Sequence, residues 1–209
     1  SIQLEKGVLC IGGCDDEQCY SEVFLLTVQG DSIRIDSNYP SLPVPLANMT
    51  ASLIDNKVFV AGGQEGMHIQ SASSHFFMLD LDDIKAGWKA LSSWPGAPRG
   101  YAVSAGQSDG FDKCFYLFSG RNYHDDVVDV LTDGYVYNPR LKTWKKLKGY
   151  FPVMAGAAVA FGANHILFLG AVPQMIAGSD FHPGFDNKLS VYHTITNTFI
   201  EKETVPFSV

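Results

Sequence analysis

Four apolar runs along the chain end in a pair of small residues, and the same events follow each run. VLCIGG closes on Gly12-Gly13, VFVAGG on Gly62-Gly63 and FYLFSG on Ser119-Gly120. In ILFLGA the pair is read at Leu169-Gly170, which gives spacings of 50, 57 and 50 residues. After a variable polar stretch comes a second β-prone run, at residues 23–26, 76–79, 135–137 and 189–192. Turn residues such as Asp80 or Asn138-Pro139 follow, where local side-chain hydrogen bonds favour chain reversal. A bulky residue then opens another short strand: Trp88, Trp144, Phe199 and, less obviously, Ile33. Each unit closes on proline, at Pro43, Pro95, Pro152 and Pro206. Ahead of the small pair lies a hairpin, as in residues 51–54 turning through Asp55-Asn56-Lys57 into 58–60. In the third unit the turn is longer, roughly 106–112.

Four strands in a unit of about fifty residues make a propeller blade of kelch length. The pattern predicts an all-β, kelch-type β-propeller with four four-stranded blades, at approximately 1–46, 47–96, 97–153 and 154–209. The small pair suits a place where backbone packs against backbone, and the Trp or Phe suits the space between neighbouring blades. A β-sandwich would not repeat this order of small pair, aromatic strand, Trp and Pro. Aligning the first two units sets Ser1 opposite Ala51, so the first unit is expected to begin inside its innermost strand. The expectation is a four-blade arc of a larger ring, because kelch rings usually need more than four blades to close. Its open flanks would expose apolar faces, to be covered by missing blades or a second chain.

Composition narrows the function. Twenty-two acidic against fifteen basic residues give a net charge of −7, which lacks the basic footprint of a nucleic-acid binder. The longest nearly apolar run, residues 154–163, is about half of what crosses a bilayer, so no membrane span is expected. No secretory signal is expected within these residues. Cys10 and Cys114 lie in apolar runs and read as buried thiols. Cys14 and Cys19 flank a polar loop, where a disulfide and two free thiols are both open readings. That loop lacks the further ligands a zinc site needs, and no other metal cluster or phosphate loop stands out.

In such propellers the loops joining strand two to strand three gather on one face with the inter-blade loops, where ligands bind. The first set carries Glu65, His68, Arg121, Asn122 and His124; the second carries Asn48, Arg99 and Met154. Arg121 follows its small pair directly and would start near the axis, where a guanidinium can clamp a carboxylate. Arg99 sits at a position where kelch repeats often carry arginine near the channel mouth. The alternative for both is a structural arginine bonded to loop carbonyls. Glu65 and His68 are candidates for acid–base work, and His124 with Asp125 for orienting Arg121 or meeting a polar ligand. His182 and His193 read as surface residues.

The segments PGAPRGYAVSAG, KCFYLFSGRN and DGYVYNPRLKTWKKL, with the opening EKGVLCIGG, resemble the N-acetylneuraminate epimerases, or sialic acid mutarotases, in their circularly permuted branch. The resemblance implies a six-bladed, periplasmic, cofactor-free enzyme that interconverts the α and β anomers of free sialic acid. Such chemistry needs a base at the anomeric hydroxyl, an acid at the ring oxygen and a cation for the carboxylate. The family also carries a Ser-Gly-Glu segment followed by Pro-Gly and Arg-Thr, which is not found here and would fall beyond Val209. The resemblance therefore implies that Arg99 and Arg121 belong to the pocket wall and that the segment by itself is inactive. The reading set against it is a kelch interaction module that binds a protein or glycan without chemistry.

Overall fold

A computed structural model describes residues 1–66, 72–124, 127–172 and 185–205. Four antiparallel four-stranded sheets follow one another along the chain. The first holds β1 (Ile2–Leu4), β2 (Gly7–Cys14), β3 (Cys19–Gln29) and β4 (Ser32–Asp36), and the second β5 (Thr50–Ile54), β6 (Lys57–Ala61), β7 (Phe76–Asp80) and β8 (Lys89–Ala90). The third holds β9 (Val103–Ser108), β10 (Lys113–Phe118), β13 (Gly134–Asn138) and β14 (Thr143–Lys146). A separate hairpin of β11 (Arg121–His124) and β12 (Val127–Val130) is inserted between β10 and β13. The fourth sheet holds β15 (Ala157–Phe161), β16 (His165–Leu169), β17 (Lys188–His193) and β18 (Thr198–Thr204). The innermost strands touch in sequence, β1 on β5, β5 on β9 and β9 on β15. This is a propeller segment. Gly106, expected in a turn, lies inside β9 opposite Phe115, and the turn itself is only residues 109–112.

Period-two alternation explains the three cores, one between each pair of adjacent blades. On β6, Val58 and Val60 point to the first blade and pack with Leu9, Ile11 and Val23, while Phe59 and Ala61 point to the third. On β10, Phe115 and Leu117 meet Phe59 and Phe76, while Cys114, Tyr116 and Phe118 meet Ile166, Phe168 and Tyr192. The second strands of the inner blades are thus buried on both faces, which is why they read as unbroken apolar runs. The outer blades are covered on one face only, and Ile33 and Ile35 on β4 are 73% and 65% exposed. On β15, Val159 and Phe161 are likewise 59% and 61% exposed.

The indoles tie blades together as the pattern predicts. Trp88 Nε1 donates to the Pro40 carbonyl at 2.8 Å and Trp144 Nε1 to Ser92 at 2.8 Å, each reaching the preceding blade. Phe199 packs against Phe151 and Phe168. Ile33 has no such role in the described residues; it faces solvent.

The small pair follows the ends of β6, β10 and β16 and falls at a register shift inside β2, between Ile11 and Gly13, and at each of these places the chain turns left-handed. Positive φ values of 51°, 69°, 58° and 68° fall on Gly12, Gly62, Ser119 and Gly170. This corrects the fourth pair, which is Gly170-Ala171 and not Leu169-Gly170: Leu169 still belongs to the ladder, opposite Ala157. A Cβ on Gly62 would lie 2.1 Å from the Arg99 carbonyl oxygen, and one on Gly12 would lie 2.5 Å from that of Leu46. Backbone of the next inter-blade segment fills the place of a side chain.

Candidate functional site

The same close approach builds a repeated wall above the innermost strands. Gly13 and Gly63 donate to the carbonyls of Leu46 and Arg99 at 2.8 and 2.9 Å. One residue further on, Gln64 and Ala47 exchange two backbone hydrogen bonds at 2.8 and 2.9 Å, and Arg121 and Gly100 exchange two at the same distances. Val172 donates to Met154 at 2.8 Å in the fourth blade. Cys14, Gln64, Arg121 and Val172 therefore stand at equivalent places, each directly after its small pair.

A second register runs round the inter-blade segments. Asn48, Tyr101 and Ala155 all have left-handed backbone, with φ of 55°, 55° and 56°. Tyr101 N–H donates to the Asn48 carbonyl and Ala155 N–H to that of Tyr101, both at 2.8 Å. These bonds clamp each junction to the next. They also set Asn48 beside Gln64, whose Oε1 accepts from Asn48 Nδ2 at 2.8 Å, and Tyr101 beside Arg121. The Arg121 guanidinium carbon lies 4.2 Å from the Tyr101 ring centroid, a cation–π contact that holds the charge at the pocket rim.

These residues enclose a pocket of about 450 Å³, within the range of small-molecule sites. Asn48, Gln64, Tyr101, Arg121, Asn122 and Tyr123 line it, with Cys14 and Cys19 on the first-blade side. Asn122 is fixed by its Oδ1, which accepts from Ala72 N–H at 3.2 Å. A cation, three carboxamides and two phenols converge here, a set suited to a polar anionic ligand. No carboxylate lines the pocket among the described residues. No group of three or more His, Cys, Asp or Glu able to hold a metal occurs among them either.

Of the sequence candidates, Asn48, Arg121 and Asn122 meet in this pocket. Glu65 does not line it; its carboxylate is paired with His75 Nε2 at 2.8 Å, and that ring stacks on Phe77. His124 ends β11. His68 and Asp125 lie outside the described residues.

Arg99 is elsewhere. It occupies the place held by Leu46 and Val153 at the neighbouring junctions, and its side chain is fully buried. Nη1 donates to the Ser119 carbonyl at 2.8 Å and pairs with Asp133 Oδ1 at 3.0 Å. The guanidinium sits between Trp94 and Tyr135, 5.4 and 5.2 Å from their centroids, and Nη2 has no hydrogen-bond partner among the described residues. Burial pushes the Asp133 carboxyl up, but the charge and hydrogen bond of Arg99 and the Tyr135 hydroxyl outweigh it and hold the group below its usual range. Arg99 is thus the carbonyl-bonded arginine of the alternative reading, withdrawn from the pocket that Arg121 lines.

Sequence reasoning passed over Tyr101 and Gln64 as site residues. The signal was available for Gln64, which follows its small pair just as Arg121 does. Tyr101 had none, because its role depends on a left-handed backbone beside the neighbouring blade.

Comparison with known families matches most of this sequence. The family model NANM, N-acetylneuraminate epimerase, covers residues 39–207. The chain belongs to the N-acetylneuraminate epimerase family. The N-acetylneuraminate epimerase of Yersinia pestis (strain Pestoides F) is 30% identical over 165 residues, covering 75% of this chain and 38% of the relative. That of Haemophilus influenzae (strain PittEE) is 34% identical over 128 residues, covering 61% and 31%. The chain thus spans well under half the length of the curated relatives it matches. The solved structure of YjhT superposes with a TM-score of 0.65 over 81% of this chain and 54% of that one. At 21% identity it carries the fold alone.

Proposed function

We propose that the chain forms the ligand-holding wall of a sialic acid mutarotase, an enzyme that interconverts the anomers of N-acetylneuraminate by acid–base ring opening. The observation that carries this is Arg121, stacked on Tyr101 at the edge of a pocket rimmed by Asn48, Gln64 and Asn122. The guanidinium meets the sugar carboxylate, and the carboxamides meet the hydroxyls and the N-acetyl group. In the reaction a base removes the anomeric proton while an acid protonates the ring oxygen, the ring C–O bond breaks, and closure on the other face gives the second anomer. The described residues bring no carboxylate to the pocket, so this acid–base pair comes from outside the wall they form.

The carboxamides of Asn48, Gln64 and Asn122, which bind without transferring protons, favour a second reading, a propeller module that binds a glycan without chemistry. Exchange spectroscopy on equilibrated N-acetylneuraminate separates the two. Faster α–β exchange with the chain than in buffer supports the mutarotase. Saturation transfer to the N-acetyl methyl without faster exchange supports the binding module, and absence of both sinks the two readings together. The apolar residues exposed on β4 and β15 support covering of the flanks by further blades of a six-bladed ring, and the family resemblance supports a periplasmic site of action.

A further inference from the structure

We propose that Cys14 and Cys19 are a redox-convertible pair in the pocket wall, closing to a cross-strand disulfide by exchange with a small-molecule disulfide and reopening with a small thiol. The inference rests on hairpin geometry and does not depend on what the pocket binds. Cys14 ends β2, Cys19 begins β3, and the two are directly paired in the antiparallel register. Asp15 N–H donates to the Gln18 carbonyl at 3.1 Å one step further out, which makes Cys14 and Cys19 a non-hydrogen-bonded pair of the ladder. At such pairs the Cα atoms stand about 4.5 Å apart, with side chains on one face, inside the span a disulfide accepts. Both cysteines line the pocket.

The hairpin tip is built to keep that register. Asp15 Oδ1 accepts from the N–H groups of Glu17 and Gln18, each at 2.9 Å, and its other oxygen accepts from the Tyr20 hydroxyl. The other cysteines are placed to stay out of the exchange. Cys10 is opposite Phe24, and Cys114 is fully buried between the third and fourth blades, where desolvation pushes its thiol up to about 12.

The two sulfurs of the pair have different surroundings. Cys14 is exposed, whereas Cys19 is half-buried and its thiol is raised by burial, by the Cys14 contact and by the negative charge of Asp15. Cys14 is therefore the attacking sulfur. Its thiolate attacks one sulfur of the small disulfide, the other sulfur leaves as a thiol, and a mixed disulfide remains on Cys14. The Cys19 thiolate then attacks Cys14 Sγ and expels the second small thiol. The protein loses two electrons and two protons, and one small disulfide becomes two thiols. Closure replaces two thiols by one aprotic bridge, with one end at the wall place that Gln64 and Arg121 occupy in the next blades.

The test equilibrates the whole chain in glutathione buffers of rising oxidised fraction, followed by acid quench, alkylation and mass mapping. Cleavage before Asp15 or Asp16 and fragment-ion mapping between Cys10 and Cys14 are needed, because the tryptic peptide 7–34 holds Cys10, Cys14 and Cys19. The expected result is a Cys14–Cys19 linked peptide, Cys10 and Cys114 still alkylated, and full reopening with reduced glutathione. Cys19→Ser should trap glutathione on Cys14, and Cys14→Ser should react at least tenfold more slowly at Cys19. Four alkylated thiols in the most oxidising buffer, a bridge to Cys10 or Cys114, or a lasting mixed disulfide on Cys14 with Cys19 intact would each overturn the proposal.

Discussion

Arg99 and Arg121 lie twenty-two positions apart, the first on the segment between the second and third blades and the second opening β11 within the third, and the molecule places them in opposite ways. Arg99 fills a slot that takes leucine in one neighbouring junction and valine in another, so its charge is out of water and must be met by protein. Asp133, the Ser119 carbonyl and two aromatic faces meet it. Arg121 follows the small pair on the pocket side, where its half-buried side chain stacks on Tyr101. The difference teaches that the same cation is buried in the inter-blade packing or set on the pocket lining according to the segment that carries it. Residue type does not decide it.

The sharpest way to break the comparison is Arg99→Leu, which matches the first-blade residue but strands the Asp133 carboxylate. A loss of about 3–5 kcal/mol in urea unfolding is expected, with part of it regained when Asp133→Asn is added. If Arg99→Leu were neutral for stability and abolished sugar binding, the two roles would be reversed. Gly62→Ala, which drives a methyl group into the Arg99 carbonyl at a left-handed φ, should cost about 2 kcal/mol or more in the same assay.

Arg121→Ala sharpens the contrast from the other side. Stability should change by less than about 0.5 kcal/mol, while N-acetylneuraminate affinity by titration NMR should fall about ten- to a hundredfold. The smallest effect is on pH. Asp133 is held below its ordinary value of 3.8 in the folded chain, so its contribution is present above that pH and lost as pH falls through the lower folded value. Acid unfolding should therefore be shallower below about pH 4 in Asp133→Asn than in the parent, a slope that urea midpoints across the acid range would show.

Much of the architecture was legible. The runs at Val58–Val60 and Cys114–Phe118 are unbroken because both faces of an inner blade are buried, and the Trp positions announced the inter-blade contacts. The fourth small pair stands one residue later than the spacing suggests, because the apolar run continues through Leu169 without a polar break and only the ladder shows where pairing stops. Arg121 is legible on the pocket lining from its offset after the small pair, and Asn48 and Arg99 as inter-blade residues, whereas the choice between a pocket arginine and a carbonyl-bonded one at Arg99 is not.

By itself the sequence determined the repeat, the four-stranded unit and the face on which polar loops collect, because period and small-residue pairs act through local geometry. Only the tertiary structure decided which side of each junction a side chain takes. That choice depends on carbonyls and rings supplied by a neighbouring blade about fifty residues away, and nothing in the local pattern encodes it.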